Sequence, residues 1–268
     1  MITTSGLRLH MVDEGPRDAP VVMLSHSLAA NLDMWAPQAA ALTDDFRVLR
    51  YDTRGHGTSE APQGAYSFAQ LTGDAVALLD ALHIERVHFV GLSLGGMTAM
   101  GLALEHPSRV ASICAANCGA QTPDGGAAMW EERIAMARSQ GMAALVDATL
   151  ARWFTPAMLR TRPAEIDAVR EMILATPVAG YVGCCGALQT LAYRDRLNGL
   201  RLPALFIAGA EDAAVPVATM RDMHARVAGS RYVELPAAHL SNLECAADFN
   251  AALLDFLRAQ VSVGQTSV

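Results

Sequence analysis

The stretch that decides the fold is Gly91-Leu92-Ser93-Leu94-Gly95-Gly96. It follows the apolar run Arg86-Val87-His88-Phe89-Val90 and precedes small, helix-compatible residues that begin at Met97. An apolar, β-branched run that stops at Gly-x-Ser-x-Gly and continues into such residues predicts a strand, a sharp turn and a helix. Side chains at positions 91 and 95 would collide where the backbone doubles back, so both positions need glycine. The sequence therefore predicts a nucleophile elbow with Ser93 at its apex.

Extended and helical patterns alternate on both sides of this turn. Short apolar runs predict strands, and runs with apolar residues at helical spacing, such as Ser67–Leu82, predict the helices between them. The predicted strands are Pro20–Ser25, Phe46–Tyr51, Arg86–Val90, Val110–Ala116, Leu202–Ala208 and Arg231–Leu235. This alternation predicts an α/β fold with a mostly parallel, doubly wound sheet that is covered on both faces. Ligands bind outside the carboxyl ends of the strands in such a sheet, which is where Ser93 lies.

The alternation stops at Gln121 and resumes near Asp195. The intervening block is helix-rich without a clear strand, and its predicted helices are Met129–Arg138, Met142–Phe154 and Pro163–Ala175. A chain of 268 residues is near the upper size of a single core, so one domain with an insertion is expected. The predicted parts are a core of residues 1–120 and 196–262, a helical lid of residues 121–195 that roofs the site, and a flexible tail of residues 263–268.

The composition limits the partners and the location of the protein. The sequence is 52% hydrophobic and 18% charged with a formal net charge of -7, as in a folded, soluble protein. The acidic balance repels nucleic acid and anionic membrane surfaces, so neither is an expected partner. The N-terminus lacks a basic segment followed by an apolar one, and no stretch is long and apolar enough to span a bilayer. The sequence therefore predicts a cytoplasmic protein, and a homo-oligomer is compatible with it.

The cysteines indicate neither a disulfide framework nor a metal site. There are five of them, an odd number, and they do not repeat the Cys-x-x-Cys spacing of structural zinc sites. None has the positional signals of Ser93, so buried free thiols are expected in preference to a catalytic cysteine. These residues are Cys114, Cys118, Cys184, Cys185 and Cys245.

A serine nucleophile needs a general base, and the base needs an acid that orients it. In a sheet of this kind the three residues follow in the order serine, acid, histidine. His239 fits the base because it lies between the strand Arg231–Leu235 and the last predicted helix, Leu240–Val261. Other histidines lie upstream of that position or within regular segments, where surface or structural roles are expected. They are His10, His83, His88, His106 and His224.

The acid is expected at the end of the preceding strand. Asp212 lies in the loop after the apolar run that ends at Ala208, and Glu211 is its adjacent rival. Adjacent loop residues usually point apart, and the Gly-x-x-Asp spacing favours Asp212. The predicted triad is therefore Ser93, Asp212 and His239. Glu211 is then a solvated surface carboxylate.

The oxyanion hole of such a site needs two backbone N–H groups. One comes from the residue after the nucleophile, Leu94, and the other from the loop after an early strand, where Leu28 is the expected donor. His26 is interpreted as a residue that orders this loop. The polar loop of residues 52–59 is interpreted as a structural loop held by hydrogen bonds of Arg54 and His56, rather than as a catalytic one.

The quoted motifs resemble those of known enzymes. The elbow and the predicted triad are similar to those of α/β-hydrolase-fold enzymes, and the similarity covers essentially the whole chain. More particular stretches resemble the 3-oxoadipate enol-lactonases of the protocatechuate branch of aromatic degradation. These stretches are Ser25–Trp35, Asp52–Ser59, Gly91–Gly96, Gly180–Cys185 and Ala238–Asn242, together with Trp130-Glu131-Glu132-Arg133 in the lid. The chain departs from the family at His26, where asparagine, or histidine followed by glycine, is expected.

The resemblance implies a reaction and roles for the site residues. Ser93 attacks the lactone carbonyl of 3-oxoadipate enol-lactone, and His239 takes its proton. The N–H groups of Leu28 and Leu94 hold the oxyanion. Ring opening expels an enolate that becomes a ketone, and water activated by His239 then releases 3-oxoadipate. No metal or organic cofactor is required.

Three other functions remain open from the sequence. The same triad serves a general carboxylesterase or a lactonase for another ring. A cofactor-free haloperoxidase-like perhydrolase is a further alternative, although such enzymes usually have an aromatic residue where this chain has Leu28. A fold that carries a triad can also act as a ligand-binding receptor with little turnover.

The implied substrate carries a carboxylate, and a charge beneath an apolar lid needs a cation. Arg133 lies three residues after Trp130, on nearly the same helical face, and both are predicted to contact the substrate. Arg138 and Arg152 are less well placed alternatives, and a solvated surface arginine is the other role open to Arg133. Trp153 is expected in the core of the lid. The same core position is the alternative to substrate contact for Trp130.

Overall fold

A seven-stranded sheet carries the elbow sequence in the computed structural model, which describes residues 1–4 and 6–265. The strands are β1 (Ile2–Thr4), β2 (Leu7–Leu9), β3 (Met11–Glu14), β4 (Val21–Ser25), β5 (Arg47–Tyr51), β6 (Val87–Leu92), β7 (Val110–Ala116), β8 (Ala204–Gly209) and β9 (Arg231–Leu235). Their order across the large sheet is β3-β5-β4-β6-β7-β8-β9. All neighbours from β5 to β9 pair in parallel, whereas β3 pairs with β5 antiparallel, and β1 and β2 form a separate antiparallel pair.

The central strands are buried on both faces. Every residue of β6 and of β8 is buried, in keeping with their continuous apolar runs. The predicted α/β fold with a mostly parallel, doubly wound sheet is therefore confirmed. The antiparallel β3 and the β1–β2 pair were not predicted, because the sequence alternates only loosely from Leu7 to Asp13.

Helices cover both faces of the sheet and fill the block after β7. They are α1 (Ala36–Leu42), α2 (Phe68–Ala81), α3 (Leu94–Glu105), α4 (Gly126–Gln140), α5 (Val146–Trp153), α6 (Pro156–Thr161), α7 (Pro163–Ala175), α8 (Val178–Gln189), α9 (Val217–Arg226), α10 (Ser241–Glu244) and α11 (Ala246–Gln265). The ends of these helices follow local chemistry. The α2 helix, for example, begins with a capping box in which Ser67 and Gln70 satisfy each other's backbone N–H groups.

The helices α4 to α8 all lie between β7 and β8. An isolated antiparallel bridge between Gln121 and Ala192 joins the two ends of this segment. Two further backbone hydrogen bonds, from Thr122 N–H to the Leu191 carbonyl and from Tyr193 N–H to the Ala120 carbonyl, extend that closure. We call the segment 121–192 the helical insertion.

The α8 helix has a glycine at every third position, namely Gly180, Gly183 and Gly186. Glycine is a poor helix former, and this helix was not predicted. The glycines allow a close approach instead. A Cβ atom at Gly180 would overlap the backbone of Gly55, and one at Gly183 or Gly186 would overlap residues 65–66. The insertion thus rests directly on the loop that follows β5.

Replacing Gly180 by alanine is expected to lower the free energy of unfolding by about 1–3 kcal/mol, because two backbones must separate to accept the methyl group. The measurement is chemical denaturation. Gly73→Ala is the matched control, since this exposed glycine lies within α2 and has open space around it. The control is expected to be neutral or stabilising by up to about 1 kcal/mol. Equal stability of Gly180→Ala and the wild type would refute this packing argument.

The C-terminal part departs from its predicted form at one point. The predicted helix Leu240–Val261 is interrupted at Cys245, which separates α10 from α11. The last helix is described to Gln265, and residues 266–268 of the predicted tail lie outside the described residues. Of the cysteines, four are buried and free as predicted, whereas Cys245 is only partly buried.

No single helix in the described part of the chain has the length and apolar character of a membrane span. The helices α7 and α8 reach that length and apolar character only when they are taken together, and the two are bent by 92° relative to each other.

Candidate active site

The predicted elbow is present as β6, a sharp turn and α3. Ser93 has φ 56° and ψ −115°, and a positive φ of this kind is uncommon for a residue with a side chain. It is held by a hydrogen bond of 2.8 Å from its N–H to the Ala116 carbonyl and one of 2.9 Å from Met97 N–H to its own carbonyl. Such backbone strain costs about 1–3 kcal/mol and is concentrated at functional sites. Ser93 is partly exposed at the carboxyl edge of the sheet.

The predicted acid and base form a buried pair. His239 Nδ1 lies 2.8 Å from Asp212 Oδ2, and both residues are almost fully inaccessible to solvent. Burial alone would raise the pKa of Asp212, but the imidazole of His239 and hydrogen bonds from its surroundings lower it below the ordinary value. The carboxylate is therefore ionised, so His239 Nδ1–H donates to it. Glu211, the rival acid, is exposed.

Asn117 is a site residue that the sequence analysis missed. It follows β7 directly and is fully buried in a left-handed conformation, with φ 47°. Its Nδ2 donates to Asp212 Oδ2 at 3.0 Å and to the Ala238 carbonyl at 3.3 Å, and its Oδ1 accepts from Ser241 Oγ at 2.5 Å. Asn117 therefore connects Asp212 to the loop that carries His239. Its place after a buried strand, at the same edge as Ser93, was the available signal.

Four neighbouring strands supply these side chains from their carboxyl ends. Ser93 follows β6, Asn117 follows β7, Asp212 follows β8 and His239 follows β9. In the described part of the chain, Ser93 Oγ makes no hydrogen bond to the imidazole within 3.5 Å. A serine and its base are often farther apart before substrate binds, so the arrangement is compatible with proton transfer in a complex.

The two predicted oxyanion donors follow neighbouring strands of the sheet, β4 and β6. Leu94 is the first residue of α3, where a backbone N–H has no partner within the helix. Leu28 lies in the loop after β4. A Cβ atom at Gly95 would overlap the carbonyl group of Ser25, so the start of α3 packs directly against the end of β4. This contact brings the two loops together.

Two buried histidines order the loop that contains Leu28. His26 Nε2 accepts from Thr53 N–H at 2.9 Å, and its Nδ1 donates to the Ser27 carbonyl at 2.7 Å. His56 Nε2 accepts from Ala29 N–H at 3.0 Å. Burial lowers the pKa of both histidines, that of His56 to about 3, so both are neutral. The residues on either side of Leu28 are thus held by His26 and His56, which agrees with the structural roles expected for both.

The insertion contacts the base through Trp153. The indole and the imidazole of His239 stack with ring centroids 6.3 Å apart and an angle of 28° between the planes. The N–H of Leu240, the next residue, donates to the Trp153 carbonyl at 3.1 Å. The sequence placed Trp153 in the core of the lid. It is buried as expected, and its ring also lies beside that of His239, the predicted base.

Two partly buried arginines of the insertion, Arg133 and Arg152, lie close to each other without an acidic partner among the described side chains. The Arg133 guanidinium lies over the Trp130 ring, 4.8 Å from its centroid, so these two residues do share a face of α4. Burial and the nearby charge of Arg133 lower the pKa of Arg152. Among the described side chains, no carboxylate lies within 4.0 Å of Arg133 or Arg152. The structure thus places Arg152 near Arg133, whereas Arg138 is exposed.

Within residues 1–4 and 6–265, no cluster of three or more histidine, cysteine or acidic side chains is arranged to hold a metal ion.

Comparisons with known proteins place this geometry in a family. A model of the alpha/beta hydrolase fold matches residues 20–245. A 3-oxoadipate enol-lactonase from Acinetobacter baylyi is 35% identical over 94% of this chain and 94% of its own. The crystal structure of the enol-lactonase from Burkholderia xenovorans LB400 is 43% identical and covers 96% of this chain and 99% of its own, with a TM-score of 0.93.

A protein named as a carbamate hydrolase, RutD, from Variovorax paradoxus is 33% identical over 95% of this chain and 97% of its own. The similarities therefore include more than one substrate class. The chain belongs to the α/β-hydrolase family, and it is a hydrolase that acts on ester or lactone bonds.

Proposed function

We propose that the chain opens the ring of 3-oxoadipate enol-lactone to give 3-oxoadipate in the degradation of aromatic compounds. Ser93 is the nucleophile, His239 is the general base and Asp212 is the acid that orients the base. The enol-lactonase relatives support the substrate, and the buried Asp212–His239 pair at the sheet edge of Ser93 supports the mechanism.

The acylation step follows from the protonation states of the pair. His239 Nδ1–H donates to the ionised Asp212, which leaves Nε2 free to accept the proton of Ser93. Ser93 Oγ attacks the lactone carbonyl carbon, and the backbone N–H groups of Leu28 and Leu94 bind the resulting oxyanion. The bond between that carbon and the ring oxygen then breaks. The proton on His239 passes to the departing enolate oxygen, and the enol becomes a ketone.

The second half-reaction releases the acid. A water molecule gives its proton to His239 Nε2 and attacks the acyl carbon. When the tetrahedral intermediate collapses, Ser93 Oγ leaves and takes that proton back. The product carries the new carboxylate and the one that was already present on the lactone. An enolate is a better leaving group than an alkoxide. Its departure therefore depends less on protonation by His239 than the departure of the alkoxide from a simple ester.

The observation that carries the choice of a carboxylated substrate is the pair Arg133 and Arg152. Both side chains are partly buried, and no described carboxylate neutralises either of them. Neighbouring charges of like sign are unfavourable, and a bound anion relieves their repulsion. Arg152 directly precedes Trp153 in α5, and Trp153 stacks on His239. A substrate carboxylate is the matching anion.

A comparison of substrates tests the proposal. We expect kcat/KM for 3-oxoadipate enol-lactone to exceed that for a neutral nitrophenyl ester or a small carbamate by at least about 100-fold, because only the lactone pairs the arginines. Comparable values for lactone and ester would identify a carboxylesterase. A preference for the carbamate would favour the reaction named for the RutD relative. Release of a single equivalent from the ester would indicate a receptor.

Replacing Arg133 by alanine is expected to raise KM for the carboxylated lactone by roughly 10- to 100-fold, which is the contribution of one charge-assisted hydrogen bond. Hydrolysis of the neutral nitrophenyl ester is expected to stay nearly unchanged. Steady-state kinetics on both substrates provide the measurement. Arg152→Ala is expected to act in the same direction.

Arg138→Ala is the matched control, since Arg138 lies exposed on the same helix. It is expected to leave both substrates unaffected. Equal losses on lactone and ester in Arg133→Ala would indicate damage to the insertion. If Arg133→Ala changes the kinetics of neither substrate, Arg133 is a surface arginine that does not contact the substrate.

A further inference from the structure

Glu244, the last residue of α10, joins the loop of His239 to the helical insertion. Its Oε2 accepts a hydrogen bond of 2.9 Å from the N–H of Ala238, the residue before His239. Its Oε1 accepts from the N–H of Thr155 at 3.3 Å and from Thr155 Oγ1 in a short hydrogen bond. One carboxylate therefore connects two segments that are 83 residues or more apart in the chain.

A second connection lies on the other side of His239. The N–H of Leu240 donates to the Trp153 carbonyl at 3.1 Å, and the Trp153 ring stacks on the imidazole. Arg162 adds weaker hydrogen bonds of 3.4 Å to the carbonyls of Leu243 and Glu244. The residue after His239 is thus bound directly to Trp153 of the insertion, and the residue before it is linked to Thr155 through Glu244.

We propose that Glu244 is a positioning residue for His239. It holds the segment that carries Trp153 through its hydrogen bond with Thr155, and it holds the backbone next to His239 through its hydrogen bond with Ala238. The indole of Trp153 and the imidazole of His239 thereby keep their relative position. This inference rests on the proposed function, because it assumes that His239 is the general base.

The physical reason is that one hydrogen bond does not fix a ring. The bond from His239 Nδ1 to Asp212 leaves the imidazole free to swing about that contact, and a neighbouring ring face removes this freedom. Charge-assisted hydrogen bonds from backbone N–H groups are stronger than neutral ones, so a carboxylate holds the segments of Ala238 and Thr155 together more firmly than a neutral acceptor would. A displacement of about 1 Å at a catalytic group can cost roughly 100-fold in rate.

The test compares Glu244→Ala with Glu244→Gln. For Glu244→Ala we expect kcat to fall by about 10- to 100-fold while KM stays within a few fold, because the hydrogen bonds of Glu244 go to Ala238 and Thr155 and not to Arg133 or Arg152. Glu244→Gln keeps an acceptor for Ala238 and gains a donor for Thr155 Oγ1, so it is expected to restore most of the activity. Glu171→Ala removes an exposed carboxylate elsewhere in the insertion and is the matched control.

The rate at which a fluorophosphonate labels Ser93 gives a second readout, since labelling depends on activation by the base and on no lactone subsite. This rate is expected to fall in parallel with kcat in Glu244→Ala. Thr155→Val removes the partner hydroxyl. If Glu244 acts through Thr155, the double variant Glu244→Ala/Thr155→Val is expected to have a kcat no lower than that of Glu244→Ala alone.

Two results would overturn the inference. In one, Glu244→Ala keeps kcat and the labelling rate within twofold of the wild type while Ser93→Ala is inactive, which leaves the proposed function intact. In the other, activity falls only in proportion to the loss of folded protein, with unchanged labelling of the folded fraction. Full activity of Ser93→Ala would instead refute the proposed function itself.

Discussion

Replacing Ser93 by alanine is expected to lower kcat by about 10⁴- to 10⁶-fold, because the proposed mechanism forms the acyl-enzyme on the Ser93 hydroxyl. The change removes one oxygen atom at a partly exposed position. Substrate affinity is expected to stay within a few fold, since the proposed carboxylate subsite and the proposed oxyanion donors are unaltered. Single-turnover kinetics with the lactone, together with equilibrium binding of the product, provide the two measurements.

Ser139→Ala is a suitable control. This exposed serine of α4 only donates to the carbonyl of Ala135 in its own helix, at 2.8 Å. It is expected to retain wild-type kinetics. Turnover of Ser93→Ala above about one hundredth of the wild-type value would exclude the serine mechanism.

The second large effect is expected for Asp212→Asn, with a loss of about 10⁴-fold in kcat. The amide cannot stabilise an imidazolium, and its NH₂ group favours the wrong tautomer of His239. In the wild type, Asp212 accepts from His239 Nδ1 and also from the N–H groups of Ala214 and Val215. The isosteric amide is expected to keep the fold, so the loss is measured on protein with an unchanged unfolding transition.

Glu211→Gln is the matched control for that change. Glu211 precedes Asp212 in the same loop and is exposed, so neutralising it is expected to alter kcat by less than about threefold. The reverse ranking, with Glu211→Gln impaired and Asp212→Asn active, would transfer the role of the acid to Glu211.

The parts of the site that depend on local pattern could be predicted from the sequence. The elbow is encoded within about twenty residues, because an apolar strand, two obligatory glycines and a helix form one continuous signal. The separation of Asp212 from Glu211 also followed from local geometry, and the observed contact of Asp212 with His239 agrees with it. Each of these inferences needs only the alternation of strands and helices.

The features that were missed depend on contacts between distant segments. Asn117 joins Asp212 to the Ala238 carbonyl across 95 and 121 positions of the sequence, and an isolated asparagine after a strand carries no mark of that role. The α8 helix contains three glycines that local propensity disfavours, and it is stabilised by its fit against Gly55 and residues 65–66. Tertiary packing outweighs propensity in such a segment.

The stack of Trp153 on His239 has a consequence for observing the enzyme at work. An excited indole transfers an electron to an imidazolium more readily than to a neutral imidazole, so fluorescence from Trp153 is expected to dim whenever His239 carries a second proton. Trp35 and Trp130 are the other tryptophans, and phenylalanine at those two positions would leave Trp153 as the single emitter. Emission in a stopped-flow instrument would then record the arrival and departure of the proton on His239 with the proposed lactone substrate, without a chromogenic label.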